Sequence, residues 1–139
     1  MTASLNADPA GFVETALNEV CFGDDEQHPL AATIDRYFAP DYRQYTDGEV
    51  VDRDGFAAHI AALRALTAAG RVEVLEIVRQ GNRIADRHQV TVTRRDGRTS
   101  RMEIYLFGEL AADGRLRRVD EISHLLDGDD HDTELARAR

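Results

Sequence analysis

The hydrophobic period of this chain changes once, near Arg71, and that change restricts the folds open to it. Upstream, apolar residues recur about every 3.6 positions, the spacing of a helix face; downstream they alternate with a period of about 2, as on a strand. Phe12, Val13, Ala16, Leu17 and Val20 form the first helical stripe, after an Asp8-Pro9 start and before a stop at Gly23-Asp24-Asp25. Leu30, Ile34, Tyr37 and Phe38 form a second, which follows Pro29 and is closed by Ala39-Pro40-Asp41. Residues 42–46 read as a short strand and Asp47-Gly48 as a turn. Phe56, Ile60 and Leu63 mark a third helix over 52–66, which Thr67 to Gly70 should close with Gly70 just past its end. Beyond the switch, Gly81-Asn82, Asp96-Gly97 and Asp113-Gly114 separate strands over 72–79, 84–94, 102–110 and 116–126, an antiparallel meander. Helices first and strands after is an α+β layout, with the helices on one face of the sheet.

Length and charge narrow the function classes. The chain has 139 residues, enough for one domain with a core that needs neither disulfide nor metal. Its net charge of −9 argues against nucleic acid, which calls for a basic face. Cys21 is the single cysteine and reads as a small core residue rather than a reactive thiol. No apolar run approaches bilayer length and the first residues lack a signal-peptide pattern, so the expectation is a cytoplasmic protein with no membrane partner. Gly-rich phosphate loops, serine elbows and His-Glu-x-x-His are all missing from the sequence. The expected organisation is one domain over 1–126 and a charged, flexible tail over 127–139.

Polar residues on apolar faces are the candidates for chemistry. Asp86 and His88 alternate with Ile84 and Val90, so all four face inward unless a bulge intervenes. Gln44 and Thr46 share one strand face. His59 precedes Ile60 on the third helix and reads either as reaching the pocket rim or as a half-buried boundary residue. His124 falls on the strand face opposite Glu121. Arg94, Arg95, Arg98 and Arg101 read as a solvated hairpin tip, and Asp127, Asp129, Asp130, His131 and Asp132 as solubilising residues without calcium-loop spacing.

Three motifs carry a resemblance. Tyr37-Phe38-Ala39-Pro40-Asp41-Tyr42, Asp54-Gly55-Phe56 and the run from Gly114 to Glu121 are similar to the nuclear transport factor 2-like superfamily, and within it to the SnoaL-like, polyketide cyclase-like group. The resemblance spans roughly residues 9 to 126. It implies a cone-shaped domain in which three N-terminal helices pack on a curved antiparallel sheet around an apolar small molecule. It further implies a pocket bounded by Leu17, Val20, Phe38, Phe56, Ile60 and Leu63, action without cofactor or metal, and a homodimer formed through the sheet.

The same resemblance can be tested position by position. Where ketosteroid isomerases carry a base, a tyrosine and a second acid, this chain has Thr46, Ala16 and Leu106, which excludes that mechanism. Of the limonene-epoxide hydrolase set only the last-strand carboxylate persists, as Glu121; its other positions fall on His88, Val90, Gln44 and Thr46. The acid/base aspartate of SnoaL-like cyclases also falls on Glu121, one methylene longer. The resemblance therefore implies an isomerase, cyclase or hydrolase in which Glu121 and His88 act as acid and base. Gln44, Thr46 and Asp86 would contact the substrate. Two other readings stay open: a Glu121–His88 pair that only satisfies itself, and a Glu121 that turns outward to Arg118. A non-catalytic binding or assembly module is the alternative function.

Overall fold

The computed structural model describes residues 8–128. Helix α1 spans Pro9–Phe22, capped by the Asp8 carboxylate, which accepts from the Gly11 N–H. Helix α2 (Leu30–Tyr37) runs directly into strand β1 (Phe38–Thr46), so Pro40 lies in an irregular strand rather than in a terminating loop. Asp47 and Gly48, both at positive φ, then make a two-residue hairpin into β2 (Glu49–Asp52). Asp52 caps α3 (Arg53–Leu66) through the Gly55 N–H. Strands β3 (Thr67–Gln80), β4 (Arg83–Arg94), β5 (Thr99–Leu110) and β6 (Leu116–Asp127) form the meander.

The six strands lie in the order β2-β1-β6-β5-β4-β3, a curved sheet that does not close on itself. Two expectations are corrected here. The sheet is not wholly antiparallel, because β1 pairs with β6 in parallel, Thr46 beside Glu121. Thr67 to Gly70 do not close α3 but already belong to β3, where Gly70 leaves room for the Phe22 ring; a Cβ there would sit 2.2 Å from a ring carbon. The tail expected from 127 onward lies, from residue 129, outside the described residues, and Asp127 itself ends β6.

Side chains from the helices finish what the strands leave open. β3 is an edge strand, and an edge exposes unpaired backbone groups. Asn18 bonds both the N–H and the carbonyl of Val72, and Glu14 accepts from the Val74 N–H, so α1 covers that edge. Arg64 of α3 donates to the carbonyls of Glu19, Val20 and His28 and so caps the end of α1. The core between helices and sheet holds Val13, Ala16, Val20, Ile34, Tyr37, Ile60, Leu116 and Val119, with Phe38, Tyr42 and Phe56 packed ring to ring at 4.7–5.0 Å.

Candidate functional site

Register places the polar residues of the inner face in rows. Thr46 lies beside Glu121, Glu121 beside Leu106, and Leu106 beside Asp86, four strands in one line. Their side chains point to the concave side, because residues two apart share a face and Ile84, Asp86 and His88 are all buried. No bulge turns Asp86 and His88 outward; the bulge in this part of the sheet is in β3, between Val74 and Glu76.

A cavity of about 90 Å³ sits among these rows and the helices. Its walls include Leu17, Phe38, Phe56, Ile60, Leu63, Gln44, His88 and Glu121. Val20, Thr46 and Asp86 do not line it: Val20 is fully buried in the core, and the other two stand behind the wall as partners of residues that do. Three further polar residues line the cavity. His59 is buried there rather than at a rim, Tyr42 contributes its phenol, and half-buried Cys21 its thiol. Burial pushes the Cys21 thiol up to about 12, which makes it a poor nucleophile.

Hydrogen bonds divide the polar wall into two groups. In the first, Tyr42 Oη donates to Gln44 Oε1 (2.8 Å), and Gln44 Nε2 donates to Thr46 Oγ1 (2.8 Å) and to Glu121 Oε1 (3.3 Å). Thr46 Oγ1 donates in turn to Glu121 Oε1 (3.0 Å). Every donor runs toward one carboxylate oxygen. Among the described residues no hydrogen bond reaches Oε2, and Glu121 lines the cavity. Burial raises the Glu121 pKa above its ordinary value, opposed by the neighbouring His88 and by the Thr46 hydrogen bond. In the second group, His88 Nδ1 meets Asp86 Oδ1 at 2.7 Å, both side chains almost fully buried.

The expected direct hydrogen bond between Glu121 and His88 is not formed; each is held by its own partners, and the two face the same cavity. Glu121 does not turn outward either. Arg118 pairs with Asp120 and covers the Tyr45 ring on the other face. His124 is exposed there, and at the 96–97 hairpin Arg98 pairs with Asp96 while Arg95 donates to the Ala65 carbonyl. Among the described residues there is no cluster of His, Cys, Asp and Glu able to hold a metal, and no helix long and apolar enough to cross a membrane.

The comparisons with known proteins follow the same geometry. The SnoaL-like domain family matches residues 25–119. An uncharacterised protein of Schizosaccharomyces pombe is 36% identical over 99 residues, 71% of this chain and 75% of that protein. Among solved structures, AclR of Streptomyces galilaeus, named as a candidate hydroxylase, superposes with a TM-score of 0.65 at 18% identity, covering 87% of this chain and 91% of that one. A SnoaL-like polyketide cyclase candidate from Jannaschia sp. CCS1 gives 0.57 at 18% identity, with 80% and 83% covered. At such identities the structures attest the fold alone, and the fold hosts many activities. With curved sheet, apolar cavity and family match in agreement, the chain belongs to the SnoaL-like domain family of the nuclear transport factor 2-like fold.

Proposed function

We propose that this protein is a cofactor-free enzyme that uses general acid–base catalysis on an apolar, carbonyl-bearing small molecule, as an isomerase, cyclase or hydrolase. The observation that carries the reading is Glu121: a carboxyl with one oxygen saturated by Thr46 and Gln44 and the other open to an apolar cavity that His88 also lines. Burial holds its proton more tightly than water would, which favours the protonated form that can donate. Glu121 exchanges a proton with the substrate, His88 completes the pair, and Gln44 with Thr46 keeps the carboxyl in place.

Cavity size narrows the substrate. About 90 Å³ is less than the ~150 Å³ of an engineered cavity that binds benzene, so a single small ring or a short branched chain sets the upper bound unless lining side chains move aside. The test is α-proton exchange of acetone and cyclopentanone in D2O, followed by NMR. Wild-type protein should accelerate exchange of at least one ketone and Glu121→Gln should lose about 10²-fold or more. Equal rates for the two proteins would remove the reading.

The outer sheet face supports a second property, a homodimer formed through the sheet in the cytoplasm. Phe107 (68% exposed), Ile122 (65%) and Val78 (69%) stand there beside Tyr105. Around them the ion pairs Arg87–Glu103 and Arg118–Asp120 offer both signs of charge to a second copy. Analytical ultracentrifugation of wild-type and Phe107→Arg protein tests this: a dimer that the substitution dissociates supports it, and a wild-type monomer at high concentration ends it.

A further inference from the structure

His88 has a partner that no mechanism assigned to Glu121 explains. Asp86, two residues earlier on β4 and on the same inner face, places Oδ1 2.7 Å from His88 Nδ1. Neither side chain keeps more than 3% of its surface, and Asp86 Oδ2 is buried without a hydrogen-bond partner. A carboxylate only accepts, so with Asp86 in that form the nitrogen facing it carries the hydrogen. A neutral imidazole then has its lone pair on the other nitrogen. Among the described residues no hydrogen bond reaches His88 Nε2, and His88 lines the cavity, so that lone pair is available to its contents. A free imidazole prefers the opposite tautomer; what holds this one is Asp86.

We infer that Asp86 is the positioning residue of this site, holding His88 as the Nδ1–H tautomer so that Nε2 is a proton acceptor facing the Glu121 Oε2 donor across the cavity. The inference rests on the acid–base reading above and assigns its two roles. An α C–H of the bound carbonyl compound gives its proton to His88 Nε2 and the C–H electron pair becomes the enol C=C. The carbonyl oxygen takes the proton of Glu121 Oε2, leaving an imidazolium and a carboxylate. The imidazolium then returns its proton to the same carbon or to a conjugated one, while the enol O–H gives its proton back to the Glu121 carboxylate and the carbonyl re-forms. This restores both side chains and either exchanges or isomerises the ligand. Two groups bonded directly to each other would have no such opposed roles; here each group is hydrogen-bonded within itself, and His88 and Glu121 both line the cavity that a substrate would enter.

The test reads the tautomer itself. Protein labelled with 15N-histidine, with the His88 signals assigned by their loss in His88→Gln, should show a protonated Nδ1 and a bare Nε2 in long-range 1H–15N spectra. In Asp86→Asn the carboxamide can donate to Nδ1, and the ring should move to the Nε2–H form. Cyclopentanone exchange in that variant should fall about 10²-fold, with Glu121→Asp restoring none of it. A wild-type His88 protonated at Nε2 overturns the inference and needs no variant to be seen, and so does a folded Asp86→Asn protein with the wild-type tautomer. If the tautomer behaves as stated while wild-type protein exchanges no ketone, Asp86 still positions His88 and the acid–base function is what fails.

Discussion

Leu106 and Phe107 are neighbours on β5 and face opposite ways. Leu106 is 3% exposed against the cavity, and Phe107 lies in the open on the outer face. The contrast extends over the whole sheet. Inside, an apolar wall carries a few polar residues, and almost every one is tied to another: Tyr42 to Gln44, Gln44 to Thr46, Thr46 to Glu121, Asp86 to His88. Outside, large apolar side chains are uncovered and the charges are paired at the surface. Burying polar groups costs stability unless they are bonded, and a cluster of them at one cavity is what the proposed acid–base function would require. Uncovered aromatic and aliphatic residues on the other face fit the proposed contact with a second copy.

Substitutions can set the two faces against each other. The largest effect is expected at Leu106→Ala, about 2–4 kcal/mol of lost stability in chemical denaturation, because the site is packed on all sides but the cavity. A midpoint within error of wild type would mean that the inner face is loosely packed. Next comes Gly108→Ala on the same strand, where a Cβ would lie 2.8 Å from Ile84 Cγ1. It should cost about 1–3 kcal/mol and push Ile84 toward the cavity it lines, so ketone binding should weaken as well. Phe107→Ala should alter the stability of the dilute monomer by no more than about 0.5 kcal/mol while abolishing self-association. A large loss of monomer stability there would contradict the division of labour between the faces.

A pH series sharpens the comparison further. Burial raises the Glu121 pKa in the folded protein above its ordinary 4.5. The folded state then holds this proton more tightly than the unfolded state does. Its contribution to stability is complete below the unfolded pKa and is lost as pH rises through the folded one. Glu121→Gln removes that loss, so from about pH 4.5 upward the stability difference between the proteins should move in favour of the variant. Denaturation midpoints across pH 4 to 8 measure it. Parallel curves would place the carboxyl in water.

Much of this fold is legible in the chain because its signals are local. Asp8-Pro9 caps a helix, and Asp47-Gly48, Asp96-Gly97 and Asp113-Gly114 turn strands, since each acts within a few residues of itself. The same alternation that puts Ile84 inside puts Asp86 and His88 there. What the sequence does not carry is tertiary. Gly70 looks like a helix end until the Phe22 ring, far away in the chain, is found lying against it. The parallel pairing of β1 with β6 joins segments more than seventy residues apart, and it alone brings Thr46 to Glu121. That His59 and Tyr42 line the cavity is hard to read from the chain, because helical and strand spacing show which face a residue takes and not how deep it sits. Asp86 looks from its spacing like a substrate contact, yet its Oδ1 is taken up by its own neighbour His88; two residues of spacing in a strand is the signal for that contact.

The most direct test of the account is the titration of the Glu121 side chain, followed through its 13Cδ signal with and without cyclopentanone. A midpoint above 4.5 that moves when the ketone is added is the expected result, since the carboxyl then is both desolvated and open to the contents of the cavity. A midpoint at the ordinary value, unmoved by the ketone, would contradict it and leave the inner face a satisfied core rather than a site.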